Sequence, residues 1–314
     1  MLRYTLKRLG LGILTVYFIA TATFLAVHAV PGDPLSGAKV RNAEIRANLE
    51  HKYGLDRPLV AQYGVFLANM LRGDFGISFT QQNRSVNDII KNHFPVSAAL
   101  GMLSLFFAAS GGILLGSFSA LLRGRWTDRA VMFLVVLCIS VPSFVLAALG
   151  QYLVLRVNQA AGRSLLPVAG WGSLRHMLLP ALVLGLGTLA FQTRLMRSSL
   201  LEVVNQDFIR TARAKGLGPL RIFFFHELRN ALLPTVTVLG VEIADITTGG
   251  FVVETVFAIP GLGRYFVQAL QQLDYTVIMG LTVFYGTFLV VMVLVVDLAY
   301  GLVDPRITIA RGER

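Results

Sequence analysis

The chain has 314 residues, of which 55% are hydrophobic and only 14% charged, with a formal net charge of +11 and a mean hydropathy of +0.66. Soluble domains run near 45–50% apolar and about 25% charged, so this composition excludes an ordinary soluble globule and fits contact with lipid. The basic residues gather at the ends of apolar runs, not on a face interleaved with aromatics, so anionic headgroups explain the charge better than nucleic acid does.

Residues 1–30 hold a short tail with Arg3, Lys7 and Arg8, then an apolar run from Leu9 to Val30. That run is longer than the hydrophobic part of a signal peptide, so it reads as a retained first span despite the compact Val27-His28-Ala29. Pro31-Gly32-Asp33-Pro34 is a turn that stops this helix. Residues 31–94 read as an extracytoplasmic segment, with an amphipathic helix over Ala43–Tyr53 that ends at Gly54. Further runs of bilayer length follow at Pro95–Leu122, Ala130–Leu155, Met177–Leu195, Thr235–Val253 and Met279–Val303.

Each crossing needs roughly 20 residues, so the pattern predicts an all-α membrane protein, a bundle of about six transmembrane helices. Residues 95–303 form its permease-like core, including a long loop over 196–234, and residues 304–314 are a tail. Small residues such as Gly111, Gly112, Gly116, Gly185 and Gly187 allow close helix packing. Arg123, Arg125 and Arg129 crowd one short turn, and Arg194, Arg197, Arg210, Arg213, Lys215, Arg221 and Arg229 crowd the long loop. With the tail residues Arg306, Arg311 and Arg314, they place both termini on the cytoplasmic side.

Little in the chain points to catalysis. It has no phosphate-binding loop, dinucleotide fingerprint, metalloprotease helix or nucleophile elbow, so it is not expected to hydrolyse ATP, nor to carry a cofactor or metal. Cys138, the lone cysteine, lies in an apolar run. The histidines, His28, His51, His93, His176 and His226, have no paired carboxylate nearby in sequence and read as interfacial or solvated.

The loop Asp207–Pro234 carries the strongest pattern. Asp207 suits a helix start, Arg213 and Lys215 suit its end, and Gly216 is a natural stop. Thr211, Ala212 and Ala214 are small enough to settle in a partner's groove. Leu220–Leu233 reads as an apolar-rich helix with Pro234 opening the next span. A basic amphipathic helix resting on headgroups is the alternative, but it does not call for the small residues and the glycine.

Arg210-Thr211-Ala212-Arg213-Ala214-Lys215-Gly216, followed by Arg229-Asn230-Ala231-Leu232-Leu233-Pro234, resembles the cytoplasmic coupling loop of binding-protein-dependent ABC importer permeases. Within them it is similar to the oligopeptide, dipeptide and nickel branch, whose loop departs from the general Glu-Ala-Ala pattern in the same way. Tyr53-Gly54-Leu55-Asp56-Arg57-Pro58, Gly73-Asp74-Phe75-Gly76-Ile77-Ser78, Arg197-Ser198-Ser199-Leu200-Leu201-Glu202-Val203 and Pro260-Gly261-Leu262-Gly263 extend the resemblance almost end to end. Ser85-Val86-Asn87-Asp88 and Phe94-Pro95-Val96-Ser97 are most similar to the first oligopeptide permease.

The resemblance implies a multi-pass subunit of a prokaryotic cytoplasmic (inner) membrane that moves peptides by alternating access. It also implies a second homologous permease, two ATPase subunits that hold the ATP and Mg, and an extracytoplasmic substrate-binding protein. Asp207, Arg210, Thr211, Ala212, Arg213, Ala214, Lys215, Gly216 and Leu217 would form the ATPase-coupling element. A nickel or metal-chelate importer shares these motifs and remains the alternative.

Glu242 and Asp245 lie mid-span on one helix face with Thr248. An ionised side chain at the bilayer centre costs about 2.5–3.5 kcal/mol on insertion scales. They are therefore candidates for the translocation pathway, or for a structural contact with a neighbour such as Arg194. A proton-coupled secondary transporter would use the same acids, but it predicts repeated halves and none is visible. Asp297 reads as a structural contact, Glu254 as solvated, and Ile259–Gln272 as a re-entrant or surface helix.

Overall fold

The computed structural model describes residues 2–32, 50–51, 54–81, 84–248 and 250–303. The side chains of residues 2–4, 237, 240, 244–245, 247–248 and 297–303 lie outside that description. So do the expected helix Ala43–Tyr53, apart from its isolated helical residues Glu50 and His51, the side chain of Asp297 and the tail 304–314. In chain order the helices are α1 (Leu2–Ala29), α2 (Leu59–Leu71), α3 (Val86–Leu121), α4 (Trp126–Ser140), α5 (Ser143–Ala161) and α6 (Leu174–Val204). They continue as α7 (Asp207–Ala214), α8 (Pro219–Ile222), a π-helical segment (Phe223–Leu228), α9 (Arg229–Thr248), α10 (Phe251–Val256), α11 (Leu262–Gln272) and α12 (Tyr275–Val303). Among the described residues there is no strand beyond an isolated bridge between Ile77 and Ser85.

By length and apolar composition, Thr5–Ala29, Val86–Leu121, Leu174–Val204 and Tyr275–Val296 can each cross a membrane. The expected span Ala130–Leu155 is not one straight helix. The chain bends by 110° between α4 and α5, at Val141 and Pro142, both of which have extended backbone. Proline disfavours helical backbone in the residue before it and cannot donate to the ladder, so the apolar run continues through a break. If the bent pair is one crossing, the helices able to cross number five. Some side chains of α9 lie outside the description, and it is not in this count. The second run begins at Val86, with Pro95 inside the helix.

The chain divides into two compact units, residues 1–97 with 260–314, and residues 98–259. In the first, α1 packs along α12. α2 meets α1 through the Tyr63 and Thr21 hydroxyls, 2.7 Å apart, and through Phe24 against Phe66. The buried Asp274, just before α12, collects five donors: the Ser78 hydroxyl, the amides of Phe79 at 3.1 Å and Thr80 at 3.2 Å, the Thr80 hydroxyl at 2.8 Å and the Val277 amide at 3.3 Å. One carboxylate thus caps a long helix and fixes a loop nearly 200 residues earlier in the chain, as the 196-residue separation of Ser78 and Asp274 shows.

His93, expected to be interfacial or solvated, is also engaged. Its Nδ1–H donates to the Pro260 carbonyl at 2.8 Å and its Nε2 accepts from Arg84 at 2.9 Å. The ring lies 4.1 Å from that of Tyr265.

In the second unit α6 is the hub, packing against α4, α5, α9 and α10. α3 comes so close to α6 that a Cβ at Gly116 would lie 2.6 Å from the Thr193 carbonyl oxygen and 2.7 Å from Met196 Cβ. Such approach supplies dispersion contact where lipid removes the hydrophobic drive between helices.

Gly116→Ala should destabilise the protein by about 1–3 kcal/mol, read as earlier loss of monodisperse protein on heating in detergent. Gly10→Ala, which meets nothing within 4 Å, should leave the same curve unmoved. Asp274→Ala leaves buried donors unanswered, and hydrogen exchange at the Phe79 and Thr80 amides should accelerate by about tenfold.

Candidate functional site

α7 is short, and its end is set by local chemistry. The Gly216 amide donates to the Arg213 carbonyl at 3.0 Å and the Leu217 amide to the Ala212 carbonyl at 3.3 Å. These are the two bonds of a Schellman cap, and Gly216 takes the left-handed backbone that the cap needs, with φ at +76°. Leu217 then folds back onto Ile209, Ala212 and Ile222, which form a small core with Val203.

Ala212 therefore does not face a partner's groove as its size suggested; it is buried in its own chain. The residues left exposed are Asp207, Phe208, Arg210, Thr211, Arg213, Ala214, Lys215 and Gly216. Arg213 reaches the buried Glu227 at 3.3 Å and ties α7 to the π-helical segment. Arg210 and Asp207 pair at 3.3 Å, an exposed contact of little energetic weight.

The stretch after α7 differs from the expected helix over Leu220–Leu233. Only Pro219–Ile222 is α-helical before the π-helical turns of Phe223–Leu228. Pro234 does not open a helix but lies inside α9. Phe224 and Phe225 are exposed on the π-helical segment, and the Asn230 side chain donates to the His226 carbonyl at 2.6 Å.

Above this loop in sequence, α6 carries a clamp that motif reading missed. Arg197 Nε and Nη2 each donate to Asp128, both at 2.9 Å. The Ser119 hydroxyl donates to the same carboxylate, and the Gly124 amide donates to it at 3.0 Å. Asp128 is only 4% exposed. The one available signal was an acid set among Arg123, Arg125 and Arg129.

Of the three pathway candidates, Glu242 can be placed. It is half-buried, and its Oε2 accepts from Gln192 Nε2 of α6 at 2.7 Å. Gln192 is thus one of the neighbours that answer it. Asp245 and Thr248 lie on α9, with side chains outside the description. Glu254, expected to be solvated, is 2% exposed in α10; burial of a carboxylate at that level demands polar contacts, which it has.

Two family models together cover nearly all of the chain. Residues 112–309 match the binding-protein-dependent transport system inner membrane component. Residues 1–101 match the N-terminal part of a binding-protein-dependent transport system membrane component. The dipeptide transport system permease protein DppB of Bacillus subtilis (strain 168) is 47% identical, over 98% of this chain and 98% of its own. The oligopeptide transport system permease protein OppB of Escherichia coli (strain K12) is 38% identical, over 98% and 99%. The fold is shared with a chain of the inward-facing MetNI methionine ABC transporter, at a TM-score of 0.50 and 19% identity, over 68% of this chain and 94% of that one. The chain belongs to the family of binding-protein-dependent transport system inner membrane components.

Proposed function

We propose that this protein is the permease subunit of an ATP-driven peptide importer in the cytoplasmic membrane, with about six spans and both termini cytoplasmic. It pairs with a second, homologous permease. Two ATPase subunits, which hold the ATP and Mg, dock beneath, and an extracytoplasmic binding protein delivers the peptide. This chain itself carries no cofactor.

The observation that carries the reading is the division of α7 into two faces. Ile209 and Ala212 anchor it within its own chain, while Phe208, Thr211 and Lys215 remain exposed on a helix capped by Gly216. A short helix held firmly on one side and open on the other suits transmission of a push. ATPase closure moves α7, and Arg213–Glu227 together with the Ile222 core passes the displacement to the π-helical segment and α9. The permeases then rock between inward- and outward-facing states. The peptide cargo is supported by the names of the full-length relatives.

In this reading the α9 face bearing Glu242, Asp245 and Thr248 lines the pathway, Glu242 from a position fixed by Gln192.

Gly216→Val forces a branched side chain into left-handed backbone, at a cost of roughly 1–2 kcal/mol. The second permease should still co-purify, while peptide uptake falls by about tenfold or more and ATP hydrolysis no longer responds to loaded binding protein. Wild-type uptake in that variant removes the docking role from α7. Glu242→Gln combined with Asp245→Asn should change either the uptake rate or the preference between basic and neutral peptides. Identical profiles in reconstituted vesicles would take these acids out of the pathway.

A further inference from the structure

Ionisable groups within long apolar helices sit where something answers their charge. In the second unit Arg197 is answered by Asp128 and Glu242 by Gln192. Like the exposed Arg156 of α5, Arg194, one turn earlier on α6, is not answered in this way. It is exposed, and its guanidinium makes no hydrogen bond or ion pair among the described residues.

Arg194 lines a recess of about 420 Å³ whose other walls are mostly apolar side chains, among them Val141, Pro142, Leu146, Val183, Leu184 and Phe191, with the Ser143 hydroxyl beside them. The recess exists because the chain breaks by 110° between α4 and α5 and because α6 presents Gly187, with open space in front of it, on the same face as Phe191 and Arg194. Its volume lies within the range of small-ligand sites, about 300–1,000 Å³. An apolar hollow with one cation at its edge suits a ligand that is apolar next to an anion.

Three anions have that character: a lipid phosphate, an acid on the second permease and the carboxylate of a transported solute. A headgroup at the end of α6 fits poorly, because Arg194 lies about ten residues before Val204, or about 15 Å along the axis, with Arg197 already in between. A partner helix laid over the recess would answer the charge but leave the hollow behind it empty. A peptide fills both parts, and every linear peptide ends in a carboxylate whatever its sequence.

We propose that Arg194 binds the terminal carboxylate of the transported peptide while the recess takes the adjacent side chain. The inference rests on the peptide-importer reading. A guanidinium grips a carboxylate through two parallel hydrogen bonds. Walls made mostly of apolar side chains, with Ser143 the one hydroxyl residue among them, take aliphatic and aromatic side chains alike, so the site reads the end of a peptide and not its sequence.

The test uses the assembled transporter, with its partner subunits, in phosphatidylcholine vesicles. Phenylglyoxal modification of Arg194 is followed by mass spectrometry, with the exposed Arg125 as internal reference. Alanine peptides of two to five residues should slow modification at Arg194 by about tenfold, and their C-terminal amides should not. In ATP-driven uptake of the same peptides, Arg194→Gln should lose about tenfold or more and Arg194→Lys less.

The assignment is overturned if acids and amides protect equally or neither protects. It is equally overturned if protection appears only when phosphatidylglycerol is added, or if it is already present without peptide and vanishes when the second permease is removed. Wild-type vesicles that take up none of these peptides would sink the importer reading itself. Uptake with Arg194 unprotected would sink only the carboxylate site.

Discussion

The second unit depends on the ion pair between Asp128 and Arg197. A carboxylate that is 4% exposed forfeits its hydration, and it persists only because two guanidinium bonds, a hydroxyl and an amide replace that water. Those donors come from three places: α6, the end of α3 and the turn into α4. Removing one member of a fully buried pair costs about 3–5 kcal/mol; with the Arg197 side chain 26% exposed the cost here is smaller, but the Asp128 charge would still be stranded. The clamp therefore fixes the end of α6 against its neighbours, and α6 is the helix from which α7 departs.

From that fixed end the chain builds a small device with separated duties. The buried side of α7 and Leu217 hold it in place, the Schellman cap turns the chain back, and Arg213 leans on Glu227. The exposed side is bound internally through Arg213 and through the surface pair of Asp207 with Arg210, and leaves Phe208 and Lys215 open. An element meant only to lie on headgroups would instead turn all its apolar residues toward lipid; here Ile209 is wholly buried in protein, while Phe208 stays exposed.

Much of the architecture was legible because hydropathy and bilayer thickness are a strong constraint. The first span, the α6 and α12 spans, the helix ending at Gly216 and the helix after Pro260-Gly261 all appear near their expected places. What was not legible depends on pairing across sequence. Val141-Pro142 lies within an unbroken apolar run, so hydropathy hides the bend. Asp128 looks like one acid in a basic turn until Arg197, 69 residues later, is brought to it. Ala212 and Glu254 were misread for a common reason: residue type gives exposure only on average, and neither smallness nor charge says which way a helix face turns. Pro234 suggested a helix start because proline favours first turns, but the helical chain was already running, in π form, before it.

That π-helical segment has a consequence for the phase of the helix that follows. Each residue of an α-helix advances the side chains by about 100°, and a π turn absorbs an additional residue without ending the helix. Phe223–Leu228 thus acts as a phase shifter between α8 and α9. It sets which way Glu242 points after the twenty-residue α9 has begun at Arg229. The same six residues that carry Glu227 into its contact with Arg213 also decide that Glu242 meets Gln192. Angular register at the far end of α9 is therefore written next to α7, in a stretch that departs from α-helical winding.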